Sequence, residues 1–564
     1  MWRPGIFVGQ HLTWPVEPAL PKIDVVSDRG LAHIALRQGE PNVKAKDPTI
    51  RIFWIALAVH VIAWTLLCWF TQPNLPLDMI EMTFWGQQWQ WGYHKHPPLP
   101  AWIAATVWSA GGHNPLWMYL TSQLTIAVTF WAVWQMAREG LNPWLALCAV
   151  GILQACYYCT YSINDINNTI VTRPFWCLAI LFFFRATKPE SKNPTLWWSL
   201  TGVVIGLGML SKYYLGVLVL VMMAVPLLIR STRKLFATPG PWLMTAISLA
   251  IFSPHLMWMV ENDFVTIRYV VDRGTETSEF SLLSHAVSPF KFVFSQAGAW
   301  IPMLLVSIPL ISFSGIGKSL LEMIKGNRED YFQRFLAIVV CGPILFYLLA
   351  AGLTGANIRS MWGGPLFCFF GVFLFALSRD AAGGFLFTPR VDQGLRNCSI
   401  AAVVMLLGLF CRNGLGPLVR DDFSRVHFPG QSVCEEVHRR WNDRVDVPLT
   451  IVGGEMFTAG CVGVYSSHHV DVFAGVSLEA NPWVDDAIVS QHGGILVWDM
   501  DEIGDNPPVD WVTRFEHARI MKPFECPAGG LAADRNARVG MIFIPPRELS
   551  ARTARTARSI VGKR

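Results

Sequence analysis

Residues 77–102 read LDMIEMTFWGQQWQWGYHKHPPLPAW, directly after an apolar segment, 52–70, long enough to cross a bilayer. Two acids, Asp78 and Glu81, are followed by the basic-type cluster His94, Lys95 and His96 and by a Pro97–Pro98 corner. Asp78 and Glu81 are three residues apart, so a helix through them puts both carboxylates on one face. Such a pair supplies a general base and a second carboxylate that orients an acceptor or tunes the first; the plainer alternative is two solvated charges at a span end. Lys95 between two imidazoles has the chemistry of a phosphate clamp, whereas the His94-x-His96 spacing alone is a weak metal signal. Pro97 and Pro98 end regular structure and re-aim the chain. Trp85, Trp89, Trp91 and Trp102 suit the headgroup layer, where an apolar ring with one N–H is comfortable.

The rest of the 564-residue chain agrees with a membrane setting: 52% of it is hydrophobic and 15% charged, against roughly 25% charged in soluble domains. The sequence therefore predicts a polytopic α-helical membrane protein. Its net charge of +5 is modest and the basic residues fall between apolar runs, so they read as topology signals and no nucleic-acid partner is expected. Of the twelve cysteines, only Cys434, Cys461 and Cys526 lie in the polar C-terminal part, and no CxxC pair exists to hold zinc or cycle redox. An oxidising compartment permits one disulfide among these three; three buried thiols is the alternative. The first 50 residues are punctuated by proline and lack the compact apolar core of a signal peptide, so residues 1–50 are expected to be a cytoplasmic segment ahead of an uncleaved anchor.

Eleven spans are expected, near 52–70, 116–137, 144–162, 168–185, 196–210, 213–230, 241–259, 290–313, 333–351, 360–378 and 397–413. The apolar stretch 99–110 is too short to span and is expected to be a surface helix. With that choice the basic loops all fall on one side: Arg138; Arg185, Lys188 and Lys192; Arg230, Arg233 and Lys234; Lys318, Lys325 and Arg328; Arg379, Arg390 and Arg396. Short loops rich in Lys and Arg stay in the cytoplasm. The opposite loops, 71–115, 162–167, 211–212, 260–289 and 352–359, and everything after 414, are then extracytoplasmic, with the N-terminus inside and the C-terminus outside.

That outer face gathers charge of both signs. Asp78 and Glu81 come from the first loop, Asn164 and Asp165 from the second, and Lys212 from a tight turn between short spans. His255, Glu261, Asn262, Asp263, Arg268 and Arg273 come from the fourth loop and Arg359 from the fifth. A charge at mid-bilayer costs about 2.5–3.5 kcal/mol on insertion scales, a cost these residues avoid at span ends.

Several motifs resemble one family in order. LDMIEMTFWGQQWQWGYHKHPPLPAW is similar to the first outer loop of the bacterial glycosyltransferase family 39 branch of the dolichyl-phosphate-mannose protein mannosyltransferase superfamily. That superfamily has the GT-C fold and includes the lipid A aminoarabinose transferases. Its D-x-x-E motif matches Asp78 and Glu81, and its K-P-P-L motif matches KHPPLPAW with His96 inserted. SINDINN resembles the segment of the second family acid, at Asp165; GLGMLSKYYLGVL resembles the S-K-Y segment, at Lys212. SPHLMWMVENDFVTIRY and NIRSMWGGPLF resemble the entry to the large outer loop and a late-span segment. The resemblance covers about residues 50–415.

The resemblance implies an inverting transferase that moves a sugar from a polyprenyl-phosphate donor to a hydroxyl of a lipid or glycan acceptor at the outer face of a bacterial inner membrane. It implies Asp78 as general base, Asp165 as the second catalytic acid, and Lys95 as the leading phosphate contact. Glu81, His96, Lys212, His255, Glu261, Asn262, Arg268, Arg273 and Arg359 complete the expected substrate-binding set. No cofactor is called for; a divalent metal is left open. Sugar and acceptor are not specified.

After residue 414 the composition turns polar. PLTIVGG, HVDVFAG, GGILVWD and VGMIFIPP read as short strands, with EMFTAGCVGVYSS and NPWVDDAIVSQHG as helices between them, a small α/β domain over 415–547. VGGEMF after a strand is a plain turn or a weak phosphate-binding turn, and 548–564 is a basic tail expected to be disordered. A transporter or flippase of an amphipathic lipid-linked substrate is the competing reading. It predicts polar or broken-helix features at mid-membrane in both halves.

Overall fold

The computed structural model describes residues 47–275, 282–326, 330–379, 388–420 and 422–547. The expected N-terminal segment before 47, the tail 548–564 and the side chain of Arg273 lie outside the described residues.

Several helices start on a capping residue followed by proline: Asp47–Pro48, Asn114–Pro115, Asn142–Pro143, Asn193–Pro194 and Thr238–Pro239. Proline at the first helical position loses an N–H that had no partner there anyway. The side chains of Asp47, Asn114 and Asn142 accept from the next free N–H groups. This punctuation yields α1 (Pro48–Thr71), α2 (Leu77–Gly86), α3 (Leu99–Ala110), α4 (Pro115–Arg138) and α5 (Pro143–Gly151). Then come α6 (Asn168–Thr187), α7 (Pro194–Met209), α8 (Leu215–Leu228), α9 (Pro239–Glu261) and α10 (Val265–Thr275). The later helices are α11 (Leu282–Ser295), α12 (Ala297–Ser307), α13 (Phe313–Ile324), α14 (Tyr331–Thr354), α15 (Phe370–Leu377) and α16 (Val391–Phe410). Helix α1 packs on α4, α4 on α6, α6 on α7 and α7 on α9.

Among the described residues six helices are long and apolar enough to cross a membrane, or up to eight if two bent pairs each count as one span. The expected eleven spans are therefore not all continuous helices. Helix α8 turns by 112° into the 3₁₀ segment Arg230–Ala237, and α11 meets the following helical stretch at 48°. The 144–162 segment breaks after α5 into 3₁₀ turns at Ile152–Ala155 and Tyr157–Cys159. In 360–378 only α15 is α-helical, because the glycine pair Gly363–Gly364 and Pro365 follow the short 3₁₀ turn Ser360–Gly363. Large apolar side chains such as Phe70, Leu227 and Phe294 face outward, as lipid contact allows. On α1, Phe53, Leu57, Trp64 and Cys68 turn one face inward at helical spacing.

The C-terminal part forms α17 (Gly430–Asn442), α18 (Met456–Tyr465) and strands β1 (Ile451–Gly454), β2 (Asp471–Ala474) and β3 (Gly494–Asp499). Strands β4 (Arg519–Ile520), β5 (Phe524–Pro527) and β6 (Asn536–Ile544) follow. The sheet runs β2-β1-β3-β6-β4, with β5 also on β6. Strand β1 pairs parallel with β2 and β3, and β3 antiparallel with β6. The four strands expected from the sequence are there; α17, β4 and β5 carry no strong pattern and emerge only in the fold. Cys434, Cys461 and Cys526 are buried free thiols, so the permitted disulfide is not formed. The VGGEMF turn is not a phosphate site either: the Glu455 carboxylate caps α18, accepting from the N–H groups of Phe457 and Thr458 at 2.9 and 2.8 Å.

This unit braces the 77–102 stretch. Gly460 of α18 lies so close to α2 that a Cβ there would meet Ile80 at 2.6 Å, and Gly86 on the opposite side touches the Ala101 backbone of α3. Trp108 of α3 donates to Val464 O at 3.1 Å, the Tyr465 hydroxyl accepts from Leu75 N at 3.0 Å, and Gln88 donates to Asp471 at 2.7 Å. Helix α2 is thus clamped on two faces.

Candidate active site

Helix α2 begins after Pro76 with Asp78 in its first turn, and its apolar residues, Met79, Ile80, Met82 and Phe84, are buried. The carboxylates of Asp78 and Glu81 line a cavity of about 1110 Å³. Asn167 joins two elements there: its side-chain oxygen caps α6 by accepting from Thr169 N and Ile170 N, while its Nδ2 donates to Asp78 at 3.0 Å. Asp165, in the short loop that leads into α6, lies against Asp78. Its buried Oδ1 has no hydrogen-bond partner.

Two carboxyls this close in a buried place do not both ionise readily. Burial raises the Asp78 carboxyl, with the Asn167 amide and the Lys212 and Lys95 ammonium groups opposing. Burial and the neighbouring Asp78 charge raise Asp165 well above the carboxylate range. Burial and their mutual repulsion thus favour one proton held between the two carboxyls.

Glu81 is 2.6 Å from Lys95, and the pair is half-buried. Burial pushes the Glu81 carboxyl up and the Lys95 ammonium pulls it back. Lys95 also lies over the Trp85 ring, which stacks on Tyr93 at 5.3 Å. Trp85 is therefore buried behind Lys95 and is not a headgroup anchor; Trp89 and Trp91 are the exposed ones. His96 lines the cavity against Tyr269, with its imidazole lowered well below the usual range by burial and then by Lys212.

The 210–214 turn is tied down by Asn168, which donates to Ser211 O at 2.9 Å, and by Leu99 N, which donates to Leu210 O at 3.0 Å. Lys212 donates to Thr169 Oγ1 at 2.7 Å. Burial lowers its pKa to about 8, with the Asp78 charge opposing. Arg359 completes the expected residues in this cavity.

Four expected residues are elsewhere. His255 is fully buried and bonded to the Tyr213 hydroxyl at 2.6 Å and the Trp91 carbonyl at 2.5 Å, so it ties the first loop to α9. Glu261, Asn262 and Arg268 line a separate cavity of about 250 Å³ that also touches Glu479 and Trp483 of the C-terminal unit. Conversely, loop-based reasoning misses Arg173, Asn167, Tyr158 and Met456, all at the main cavity. Arg173 has a sequence signal, since an arginine inside an apolar span is a pointer to function. Met456 has none; it arrives from α18 through the tertiary fold.

The known proteins that this chain is similar to are glycosyltransferases. Residues 95–258 match the dolichyl-phosphate-mannose-protein mannosyltransferase family. The chain is 26% identical over 407 residues to the lipopolysaccharide core galacturonosyltransferase RgtB of Rhizobium johnstonii, spanning 69% of this chain and 76% of that one. It is 22% identical over 299 residues to the lipid A galacturonosyltransferase RgtD of the same organism, 51% of this chain and 57% of that one. The crystal structure of ArnT from Cupriavidus metallidurans bound to undecaprenyl phosphate superposes with a TM-score of 0.61 over 88% of this chain and 98% of that one, at 12% identity. The apo form of that enzyme gives 0.55 over 89% and 99%, at 13% identity. At such identity the structural match establishes the shared fold.

Proposed function

We propose that the protein transfers a sugar from a polyprenyl-phosphate donor to a hydroxyl of a lipid or glycan acceptor of the bacterial envelope, at the extracytoplasmic face of the inner membrane. The single observation that carries this reading is a cavity lined both by the Asp78 carboxylate with the cations Lys95, Lys212 and Arg359 and by apolar side chains including Val217, Ile267, Phe346 and Ala350. An amphipathic, phosphorylated lipid matches both kinds of lining. The relatives' names make galacturonate the sugar we assign, and the lipid bound to ArnT supports the donor class.

Asp78 takes the proton of the acceptor hydroxyl as its oxygen attacks the anomeric carbon. The bond from that carbon to the phosphate oxygen breaks on the opposite face, so the configuration inverts and polyprenyl phosphate leaves with the electron pair. Lys212 and Lys95 face the growing phosphate charge, and stabilising charge that develops in the transition state is usually the largest single contribution. Glu81 orients Lys95 through their 2.6 Å contact, and Asp165, protonated, donates to Asp78 and holds it in place. The transporter alternative is less well served, because the buried polar groups converge on one cavity beside a helix-end acid pair.

The test is mass spectrometry of envelope glycolipids from a deletion strain. They should be lighter by a uronosyl residue, restored by wild-type protein and not by Asp78→Asn. Unchanged glycolipids would overturn the reading.

A further inference from the structure

Arg173 is the least expected side chain in the cavity. It lies in α6 and is 1% exposed. It donates through one terminal nitrogen to the Tyr158 carbonyl, and its buried Nε has no hydrogen-bond partner. No acid pairs with it among the described residues. A buried guanidinium without a counterion is strongly disfavoured unless something brings the opposite charge. The other cations differ: Lys95 is neutralised by Glu81, and Lys212 has the Asp78 charge nearby. Among the described residues, Arg173 and Arg359 line the cavity with no acid in an ion pair with them, whereas Lys95 is paired with Glu81.

A donor phosphodiester brings one negative charge, which leaves one cation over. Thr169, which holds Lys212, and Arg173 are four residues apart on α6, and so one turn, about 6 Å, apart on one face. The cavity wall therefore carries two cation positions in line, suited to two anionic groups on one ligand.

We propose that Arg173 is the seat for an anionic group that the donor carries besides its phosphate, and that this group is the carboxylate of a uronosyl sugar. This rests on the polyprenyl-phosphate reading above and makes the planar fork of Arg173 the element that selects acidic over neutral sugars.

The test is donor binding by the full-length protein in nanodiscs, with undecaprenyl-phosphate galacturonate, undecaprenyl-phosphate galactose and undecaprenyl diphosphate as probes. Wild type should prefer the galacturonate donor over the galactose donor by about 10–100-fold, the size of a charge-assisted bond to a buried group. Arg173→Gln should lose that preference while binding the galactose donor as wild type does. Arg173→Lys, which keeps the charge and the fold but not the fork, should keep part of it. Equal weakening of both sugar donors by either variant would place Arg173 on the phosphate or in the scaffold and overturn the proposal. So would a loss confined to the diphosphate, which would make the second anion a phosphate. Failure of wild type to bind any of these lipids would overturn the donor reading itself.

Discussion

At the scale of single residues, the chemistry turns on which cavity groups are charged. Asp78 is raised by burial and must be ionised to act as base, so transfer is lost as pH falls through a value above the ordinary carboxylate range. Lys212, lowered to about 8, loses its charge as pH rises through that value. The expected kcat/KM profile is a bell with its basic limb near 8. Lys212→Arg stays charged throughout and should move that limb upward; a limb that does not move belongs to another group. Asp165→Ala removes a donor to Asp78 and should push the acid limb higher, whereas Asp165→Asn, which still donates, should leave it nearly in place. The pH dependence of single-turnover transfer reads both. The acid positions are visible in the sequence because D-x-x-E follows a span end. The state of the pair is not, because it depends on a second loop 87 residues away folding against the first. Arg173 is visible as a lone charge in an apolar span, but a reading that looks for charge at span ends passes over it.

At the scale of elements, α2 carries the proposed base, and α2 is held by α3 on one face and by α18 of the C-terminal unit on another. Packing of α18 on α2 across Gly460 leaves no room for a side chain. Gly460→Val should therefore destabilise the protein by about 1–3 kcal/mol, seen as a lower Tm, and depress transfer more than donor binding. A Tm and activity equal to wild type would show that α18 does not set the position of α2. Asp-Pro, Asn-Pro and Thr-Pro mark several helix starts, a signal that a reading by apolar runs does not use. Helix breaks were not legible: apolar composition records where the chain is greasy, not where Gly363–Gly364–Pro365 or the 230–237 turn interrupts it, so the expected spans are not all continuous helices. The strands of the C-terminal sheet were legible from alternating runs, but their service as a brace was not, since it rests on contacts between residues hundreds of positions apart, such as Asn74 with Arg425.

At the scale of the whole molecule, helices enclose a cavity to which the α/β unit contributes Met456. With basic loops in the cytoplasm, a reporter fused after Leu415 should be active only outside the cytoplasm; activity inside would invert the proposed topology. The central claim is that this cavity moves a sugar from a polyprenyl phosphate with Asp78 as base. Its most direct test is single-turnover transfer by purified protein in nanodiscs, loaded with undecaprenyl-phosphate galacturonate and a core–lipid A acceptor. Release of undecaprenyl phosphate should accompany an inverted glycosidic product, and Asp78→Asn should bind the donor normally while slowing that turnover by about 10²–10⁴-fold. Transfer by Asp78→Asn at the wild-type rate, or no transfer by the wild type from this donor, would contradict the account.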